Sequence, residues 1–273
     1  MKLRELPGAL WHSLRLRFAR PPEPARPTVP VTVTLTSIPS RLHALDLVVK
    51  SLLAQETPPE RIVVWLHEDL RDSVPARVRR LEDDRFTIRF VPLTSSHKKL
   101  VFAVSEDPDR VHVTCDDDMI YPRDWLGRLW AGHLRHPEDI IANDVRAVRY
   151  DASGDPLPYE RWRLAGDDTR QTAPEFMSVG WAGVLYPPNC FHPDVTNEEL
   201  FLALTPRADD LWFKAMSHLG GTRVRRAPDP GAPPIPIPLT QGVALKRANV
   251  AEDRNRTQWA ALMEAYDLIF DAD

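Results

Sequence analysis

Short β-branched runs alternate with helical patterns from Val31 onward, and this alternation restricts the chain to few architectures. The runs VTVTLTSI, RIVVWLH, FTIRFV and RVHVTC have the composition of strands, whereas RLHALDLVVKSLLAQ and HKKLVFAVSED between them have helical periodicity. Parallel strands need crossover connections, which are usually helices. The pattern predicts an α/β fold, Rossmann-like, with a mostly parallel central sheet flanked by helices in a single domain over residues 29–273. We expect its last helix to run from about Glu252 to Phe270.

Composition and charge exclude several classes of protein. Of the 273 residues, 43% are hydrophobic and 27% are charged, as in ordinary globular domains. The formal net charge of −4 gives no general attraction to phosphates of nucleic acids, so nucleic acid is not an expected partner. Neither glycine-rich phosphate loop, G-x-G-x-x-G or G-x-x-x-x-G-K-[ST], occurs in the chain. Cys115 and Cys190 form no metal-ligand cluster, and a reducing compartment is the simpler interpretation.

Residues 1–28 differ from the rest of the chain. They place large apolar side chains at helical spacing, at Leu3, Leu6, Leu10, Leu14 and Phe18. Within residues 1–20, Lys and Arg outnumber Glu by four, which is typical of peripheral contact with an anionic membrane. An extension that packs its leucines on the domain explains the spacing equally well, and we expect Pro7-Gly8 to interrupt any single helix. The stretch from Pro21 to Pro30 has the composition of a semi-rigid linker.

The same N-terminal region lacks the uninterrupted apolar stretch of about 7–15 residues that a secretory signal requires. We therefore expect a cytoplasmic protein, located at the inner face of the membrane if residues 1–20 make the contact described above.

The motif TCDDDMIYP carries the strongest chemical signal, because three aspartates follow a strand directly. Ligands of open α/β sheets bind outside the carboxyl ends of the strands. Adjacent carboxylates repel each other, and Mg²⁺ or Mn²⁺ would offset that repulsion through oxygen ligands. Extended backbone would point Asp116 and Asp118 the same way, toward a metal, and Asp117 the other way. The competing interpretation is a solvated acidic turn or a cap on the helix that begins near Pro122.

Together with TSIPSRL near the first strand, SHKKL before the next helix and ADDLWFK further on, DDDMIYP resembles the motifs of nucleotide-sugar-dependent glycosyltransferases of the GT-A fold. Within them, the chain is similar to bacterial polysaccharide-biosynthesis enzymes and more distantly to exostosin-like domains, over roughly residues 31–270. The resemblance implies a nucleotide diphosphate sugar bridged by Mn²⁺ or Mg²⁺ at Asp116, Asp117 and Asp118, with Asp118 as the direct metal ligand. It implies further donor contacts at Thr36, Ser37, Arg41 and either Lys98 or Lys99.

Lys98, Lys99 and the neighbouring His97 also fit a cationic clamp on physical grounds, because a nucleoside diphosphate gains negative charge as it leaves. Ordinary surface charge at the start of a helix is the alternative for these three residues.

A second acidic pair, Asp209-Asp210, lies at a predicted helix start. A carboxylate there suits a general base and a simple helix cap equally. The resemblance implies that the second residue, Asp210, is the base of an inverting transfer. Because many relatives carry Glu-Asp at this place, Asp209 stays a candidate.

Between the acidic sites, FMSVGWAGVLYPP combines small and aromatic residues. Gly180 and Gly183 let backbone approach a ligand, and Trp181 offers a flat face for a sugar ring, so we expect acceptor contacts there. A buried strand with an aromatic core is the alternative.

The residues together indicate a metal-dependent glycosyltransferase that acts on a glycan or lipid-linked acceptor in surface polysaccharide biosynthesis. A metal-dependent phosphohydrolase or nucleotidyltransferase is the first alternative, because clustered aspartates also serve phosphate chemistry. A non-catalytic module that binds sugar nucleotides is the second.

Overall fold

The elements of the fold alternate along the chain as the pattern predicts. The computed structural model describes residues 6–19, 27–240 and 253–268. Within these, the helices are α1 Leu6–Phe18, α2 Leu45–Leu53, α3 Ala76–Arg79, α4 Lys98–Glu106, α5 Trp125–Arg135, α6 Glu198–Leu204, α7 Asp209–Leu219 and α8 Arg254–Tyr266. The strands are β1 Val29–Thr36, β2 Pro59–His67, β3 Phe86–Val91, β4 Val111–Thr114, β5 Met119–Ile120, β6 Ile140–Ala142, β7 Val145–Ala147, β8 Phe176–Ser178, β9 Val184–Tyr186, β10 Val224–Arg226 and β11 Ile235–Pro236.

Seven strands form the central sheet, in the order β10-β6-β9-β4-β1-β2-β3. The pairs β1-β2, β1-β4, β2-β3 and β10-β6 are parallel, and β9 runs antiparallel to both β4 and β6. Val31, Val33 and Leu35 of β1 are fully buried because helices cover both faces of the sheet. The prediction of a mostly parallel α/β sheet is confirmed. Its parallel strands bring their carboxyl ends to one edge.

A long excursion leaves the sheet after β6 and returns at β9. The backbone N–H of Asn143 donates to the carbonyl oxygen of Gly183 at 3.2 Å, so the excursion begins and ends at one point. Within it, β7 and β8 pair as a small antiparallel ribbon. The sequence pattern over this region is irregular, and it does not predict that β9 lies in the middle of the central sheet.

The N-terminal helix packs against the domain. Pro7 and Gly8 lie in the first turn of α1, so the expected interruption of the helix is wrong. A proline is tolerated there because the first backbone N–H groups of a helix have no intrahelical partner. Residues 20–26, which hold most of the predicted linker, lie outside the described residues, as do Glu252 and Phe270 at the ends of the predicted last helix. No helix in the described ranges combines the length and apolar character needed to cross a membrane.

Candidate active site

Two acidic clusters that are distant in sequence meet at the carboxyl edge of the sheet. Asp116 follows β4, and Asp209 begins α7. Lys99, in the first turn of α4, joins them, because its Nζ lies 2.7 Å from Oδ2 of Asp209 and 3.5 Å from Oδ1 of Asp116. The Lys99 side chain is buried, so solvent screens these charge interactions little. The acidic turn and the acidic pair therefore belong to one electrostatic unit.

In the acidic turn, defined as Asp116, Asp117 and Asp118, one arginine pairs with two of the carboxylates. Nη1 of Arg41 lies 2.6 Å from Oδ1 of Asp117, and Nη2 lies 2.9 Å from Oδ2 of Asp118. The hydroxyl of Ser37 donates to Oδ2 of Asp117 at 2.5 Å. The expected placement of Asp117 on the side opposite Asp118 is wrong, because the same guanidinium contacts both carboxylates. Residues 117 and 118 form a turn, and only extended backbone alternates its side chains.

A third contact, besides those with Asp117 and Asp118, fixes the position of Arg41. Its Nε donates to the carbonyl oxygen of Thr240 at 3.2 Å, and the side chain retains 15% exposure. Asp116 is the most open of the three aspartates, with 35% of its side chain exposed, compared with 7% for Asp118. An incoming ligand would thus meet Asp116 first and the Arg41-bound carboxylates behind it.

Two other predicted donor-binding residues, Thr36 and Lys98, form hydrogen bonds within the protein. The Thr36 hydroxyl donates to the carbonyl oxygen of Trp65 at 2.7 Å, within the sheet. Nζ of Lys98 donates to the carbonyl oxygen of Thr94 at 2.9 Å, and burial lowers the pKa of Lys98 to about 8. Thr36 and Lys98 thus already have partners inside the protein.

The structure does not support His97 as a member of a cationic clamp. Its ring stacks on Phe201 with the ring centroids 4.5 Å apart. Burial lowers the pKa of His97 to about 4, so the ring is neutral at physiological pH. Nε2 of His97 lies 3.2 Å from the hydroxyl oxygen of Thr205, which gives the ring a structural partner.

The two members of the acidic pair differ in protonation. Burial opposes ionisation of Asp209, but the ion pair with Lys99 outweighs it and keeps the pKa of Asp209 below its usual range. Burial raises the pKa of Asp210 to about 7, and the adjacent negative charge of Asp209 adds to the rise. The backbone N–H of Gly180 donates to Oδ2 of Asp210 at 3.2 Å. Asp210 can therefore take up or release a proton near neutral pH.

The glycine at position 180 makes room for this arrangement. A Cβ atom there would lie 3.0 Å from Oδ1 of Asp210 and 3.1 Å from Nζ of Lys99. Any larger residue would crowd the side chains of Asp210 and Lys99 and displace them from the backbone of the excursion. Gly180 thus brings the excursion into contact with both acidic clusters.

The remaining two residues predicted to contact an acceptor have different surroundings. Trp181 is half-buried, and its Nε1 donates to Oδ2 of Asp144 at 2.8 Å. Gly183 has φ +105°, and a Cβ there would lie 2.5 Å from Nε1 of Trp125. Gly183 therefore allows the tight packing of the Trp125 indole, whereas the indole of Trp181 is held by Asp144.

Sequence reasoning missed two residues that organise the site. The hydroxyl of Tyr121 accepts the backbone N–H of Asp116 at 2.8 Å and donates to the carbonyl oxygen of Trp181 at 3.0 Å, which ties the acidic turn to the excursion. Asp144 orients Trp181. Asp144 comes shortly after β6, so the rule that ligand-binding groups follow strand ends could have found it. Tyr121 belongs to the motif DDDMIYP, but no sequence pattern indicates that its hydroxyl binds these two backbone groups.

The fold and the site together define an α/β protein that gathers carboxylates and buried cations at the carboxyl edge of a mostly parallel sheet, where such folds bind their ligands. Comparison with known proteins agrees with this class. No protein-family model and no curated protein matches the sequence.

Among solved structures, the chain is similar to the mannosyltransferase PcManGT from Pyrobaculum calidifontis, solved in complex with GDP-Man and Mn²⁺. The two are 15% identical, the match covers 99% of this chain and 74% of that one, and the TM-score is 0.56. TarS of S. aureus, residues 1–349, matches with 13% identity over 87% of this chain and 72% of that one, at a TM-score of 0.49. The chain thus shares its fold with the mannosyltransferase PcManGT.

Proposed function

We propose that the chain is a metal-dependent glycosyltransferase that transfers a sugar from a nucleotide diphosphate sugar to a hydroxyl group of a glycan or glycolipid. The observation that carries the proposal is the Lys99 bridge, 2.7 Å from Asp209 and 3.5 Å from Asp116. It joins an acidic turn suited to a diphosphate site with an acidic pair suited to proton transfer. The shared fold with a mannosyltransferase supports the same reaction class.

Asp210 is the proposed general base. As the acceptor oxygen attacks the anomeric carbon, Asp210 takes the hydroxyl proton, and the bond from that carbon to the diphosphate oxygen breaks. A base works best when its pKa lies near the operating pH, and burial raises the pKa of Asp210 to about 7. Asp209, paired with Lys99, stays ionised and holds the lysine in place. This division of roles supports an inverting transfer with Asp210, rather than Asp209, as the base.

The donor side of the proposed site consists of Asp116, Asp117 and Asp118 with the cations that face them. Lys99 and Arg41 are fixed before any ligand binds, so they need little reorganisation to stabilise the negative charge that develops on the leaving diphosphate. Ser37 donates to Asp117 and keeps that carboxylate oriented.

The residues of the acidic turn fit a divalent ion that is shared with the substrate. No group of three or more His, Cys, Asp or Glu in the described ranges surrounds a common point, so a cage made only of side chains is not available there. Mg²⁺ is usually bound through one or two carboxylates plus substrate phosphates, and Asp116 and Asp118 supply such hard oxygens. When bound, the ion would act as a Lewis acid on the diphosphate. Arg41 already binds Asp118, so we expect the turn to hold the ion well only together with a nucleotide diphosphate.

The proposed acceptor side is the excursion around Gly180 and Trp181. Trp181 is half-buried, its indole is held by Asp144, and it directly follows Gly180, whose backbone N–H donates to Asp210. We therefore propose that its ring contacts the acceptor sugar. We propose that the acceptor is a growing surface polysaccharide or its lipid-linked precursor. We also propose that the protein acts at the cytoplasmic face of the membrane.

A thermal-shift series tests the donor class. Purified chain is melted with GDP, UDP, CDP and ADP, each with Mn²⁺ or with a chelator, because a ligand that binds the native state raises the melting temperature by mass action. We expect one diphosphate to raise it only with Mn²⁺. The corresponding sugar nucleotide is then incubated with oligosaccharide and glycolipid acceptors. Sugar or phosphate released equally with and without acceptor would contradict transfer and favour a hydrolase, and binding without any turnover would favour a non-catalytic module.

A further inference from the structure

The N-terminal helix α1 presents large apolar side chains to solvent. Leu10, Trp11, Leu14 and Phe18 are 45%, 57%, 59% and 84% exposed. Within the described ranges, they account for four of the seven exposed large hydrophobic residues, and the other three are scattered through the chain. Residues at i, i+1, i+4 and i+8 lie on one side of a helix, so the four form a continuous apolar face. We call these four residues the α1 face.

The opposite side of α1 is anchored to the domain. Ala9 is buried, and Leu16 packs against the core. Nζ of Lys50 donates to the carbonyl oxygens of Leu16 and Arg17 at 3.0 and 2.9 Å, which satisfies groups that the last turn of a helix leaves open. The domain therefore fixes the orientation of α1, and with it the direction in which the α1 face points.

The charge around the α1 face is positive. The helix contains no Asp or Glu, and the exposed Arg15 holds its guanidinium 5.5 Å from the centre of the Trp11 ring. Lys2, Arg4 and Arg20 add positive charge on both sides in the sequence. A tryptophan beside an arginine is typical of side chains that lie at the level of lipid headgroups.

We propose that the α1 face inserts into the headgroup region of an anionic lipid bilayer, with α1 parallel to the membrane surface. The face offers a few hundred Å² of apolar surface, less than the roughly 800 Å² per partner of a stable protein interface, whereas insertion into lipid needs no partner-shaped surface. The positive charge complements anionic lipid. This inference does not depend on the proposed reaction, because it concerns a surface remote in sequence from the acidic clusters.

Vesicle co-sedimentation of the full chain tests the proposal. Vesicles of phosphatidylcholine with phosphatidylglycerol are compared with pure phosphatidylcholine, at low and high salt. The double variant Trp11→Ser/Phe18→Ser removes much of the apolar face, and Leu134→Ser/Leu202→Ser is the matched control at exposed leucines elsewhere. We expect at least a tenfold loss of partitioning for the first variant and little change for the control. Arg15→Gln should weaken binding to phosphatidylglycerol vesicles and leave binding to pure phosphatidylcholine vesicles unchanged.

Three results would overturn the proposal. Equal partitioning of both double variants would remove the α1 face from the interaction. Absence of vesicle binding by the unaltered chain would exclude a lipid bilayer as the partner of the α1 face. A concentration-dependent dimer of the unaltered chain that the first variant abolishes, without any vesicle binding, would assign the face to a second copy of the chain. Thermal melting of each variant confirms folding, and because no step needs catalysis, failure here leaves the proposed transfer reaction untouched.

Discussion

The acidic turn and the acidic pair are built from the same amino acid, yet their electrostatics differ. In the turn, Arg41 binds both Asp117 and Asp118. In the pair, Lys99 binds Asp209, and the pKa of Asp210 rises to about 7 through burial and the charge of its neighbour. Direct contact with a buried cation thus separates Asp209, whose pKa lies below its usual range, from Asp210, whose pKa is raised. The predictions below alter this balance on one side or the other.

The largest effect is expected for Asp210→Asn. The variant removes the proton acceptor and leaves the acidic turn intact, so turnover at saturating donor and acceptor should fall about 10²- to 10⁴-fold. The donor affinity, measured by calorimetry with nucleotide diphosphate and Mn²⁺, should stay within a few-fold. Turnover near that of the unaltered chain would exclude Asp210 as the base and make Asp209 or a retaining mechanism the next candidate.

The same variant has a signature in stability. The pKa of Asp210 in the folded state, about 7, lies above the value of about 3.9 for an unperturbed aspartate. The folded state therefore holds this proton more tightly, and the contribution of Asp210 to stability is lost as the pH rises toward 7. Asp210→Asn should raise the melting temperature relative to the unaltered chain more at pH 8 than at pH 5. An equal gain at both values would mean that Asp210 is ionised throughout.

Asp118→Asn tests the metal side. Loss of an anionic oxygen should weaken Mn²⁺-dependent binding of the nucleotide diphosphate by about 10- to 100-fold, the range expected for a lost charged hydrogen bond or ligand. Asp139→Asn is the matched control, because Asp139 pairs with Arg225 at 2.5 Å at the opposite, amino end of β6. Unchanged affinity in the Asp118 variant would argue against this residue as a metal ligand, and equal affinity in chelator would indicate a metal-independent enzyme.

Arg41→Gln tests whether Arg41 compensates the negative charge of the acidic turn. It leaves two poorly hydrated carboxylates without their cation, so the free energy of unfolding should fall by on the order of 2 kcal/mol, somewhat less than for a fully buried pair. Millimolar Mn²⁺ should restore part of this loss, because an external cation replaces the guanidinium. Arg225→Gln, which breaks a pair of similar burial at Asp139, should lose stability that Mn²⁺ does not restore. Equal responses of the two variants to Mn²⁺ would contradict the hypothesis that the ion replaces the Arg41 guanidinium in the acidic turn.

The smallest effect is expected for Asp209→Asn. Removing the neighbouring negative charge lowers the pKa of Asp210, so the acid limb of the pH–turnover profile should move to lower pH. In the unaltered chain, turnover should rise as the pH increases through about 7, since the base must be deprotonated. At neutral pH, turnover should change only a few-fold. A collapse of turnover like that of Asp210→Asn would exchange the roles of the two residues.

Much of the fold could be predicted from the sequence because its strands and helices have strong, regular patterns. The strands β1 to β4 correspond to the β-branched runs, and α7 to the segment that follows Ala208. β9 has only three residues and lies in an aromatic, glycine-containing stretch, so its position between β4 and β6 depends on tertiary pairing that a local pattern does not encode.

The site could be predicted in part for a related reason. The carboxyl-edge rule identified the acidic turn, because it depends only on where a strand ends. The pairing of Arg41 with Asp117 spans 76 positions of sequence, and no periodicity indicates it. The same holds for His97, whose adjacent lysines suggested a cationic role. Its stacking on Phe201 of α6 depends on how two helices pack.

The closed base of the excursion has a consequence for engineering. Because Asn143 and Gly183 are joined by a backbone hydrogen bond, the segment that carries Trp181, Asp144 and the β7-β8 ribbon leaves and rejoins the sheet at one point. The hydroxyl of Thr172 in this segment also donates to the backbone of β10, so a replacement cassette inserted between Asn143 and Gly183 must restore that contact. Lys99, Asp116 and the acidic pair lie on the retained scaffold. One change of cassette would then alter what the protein recognises while its charged machinery stays as it is.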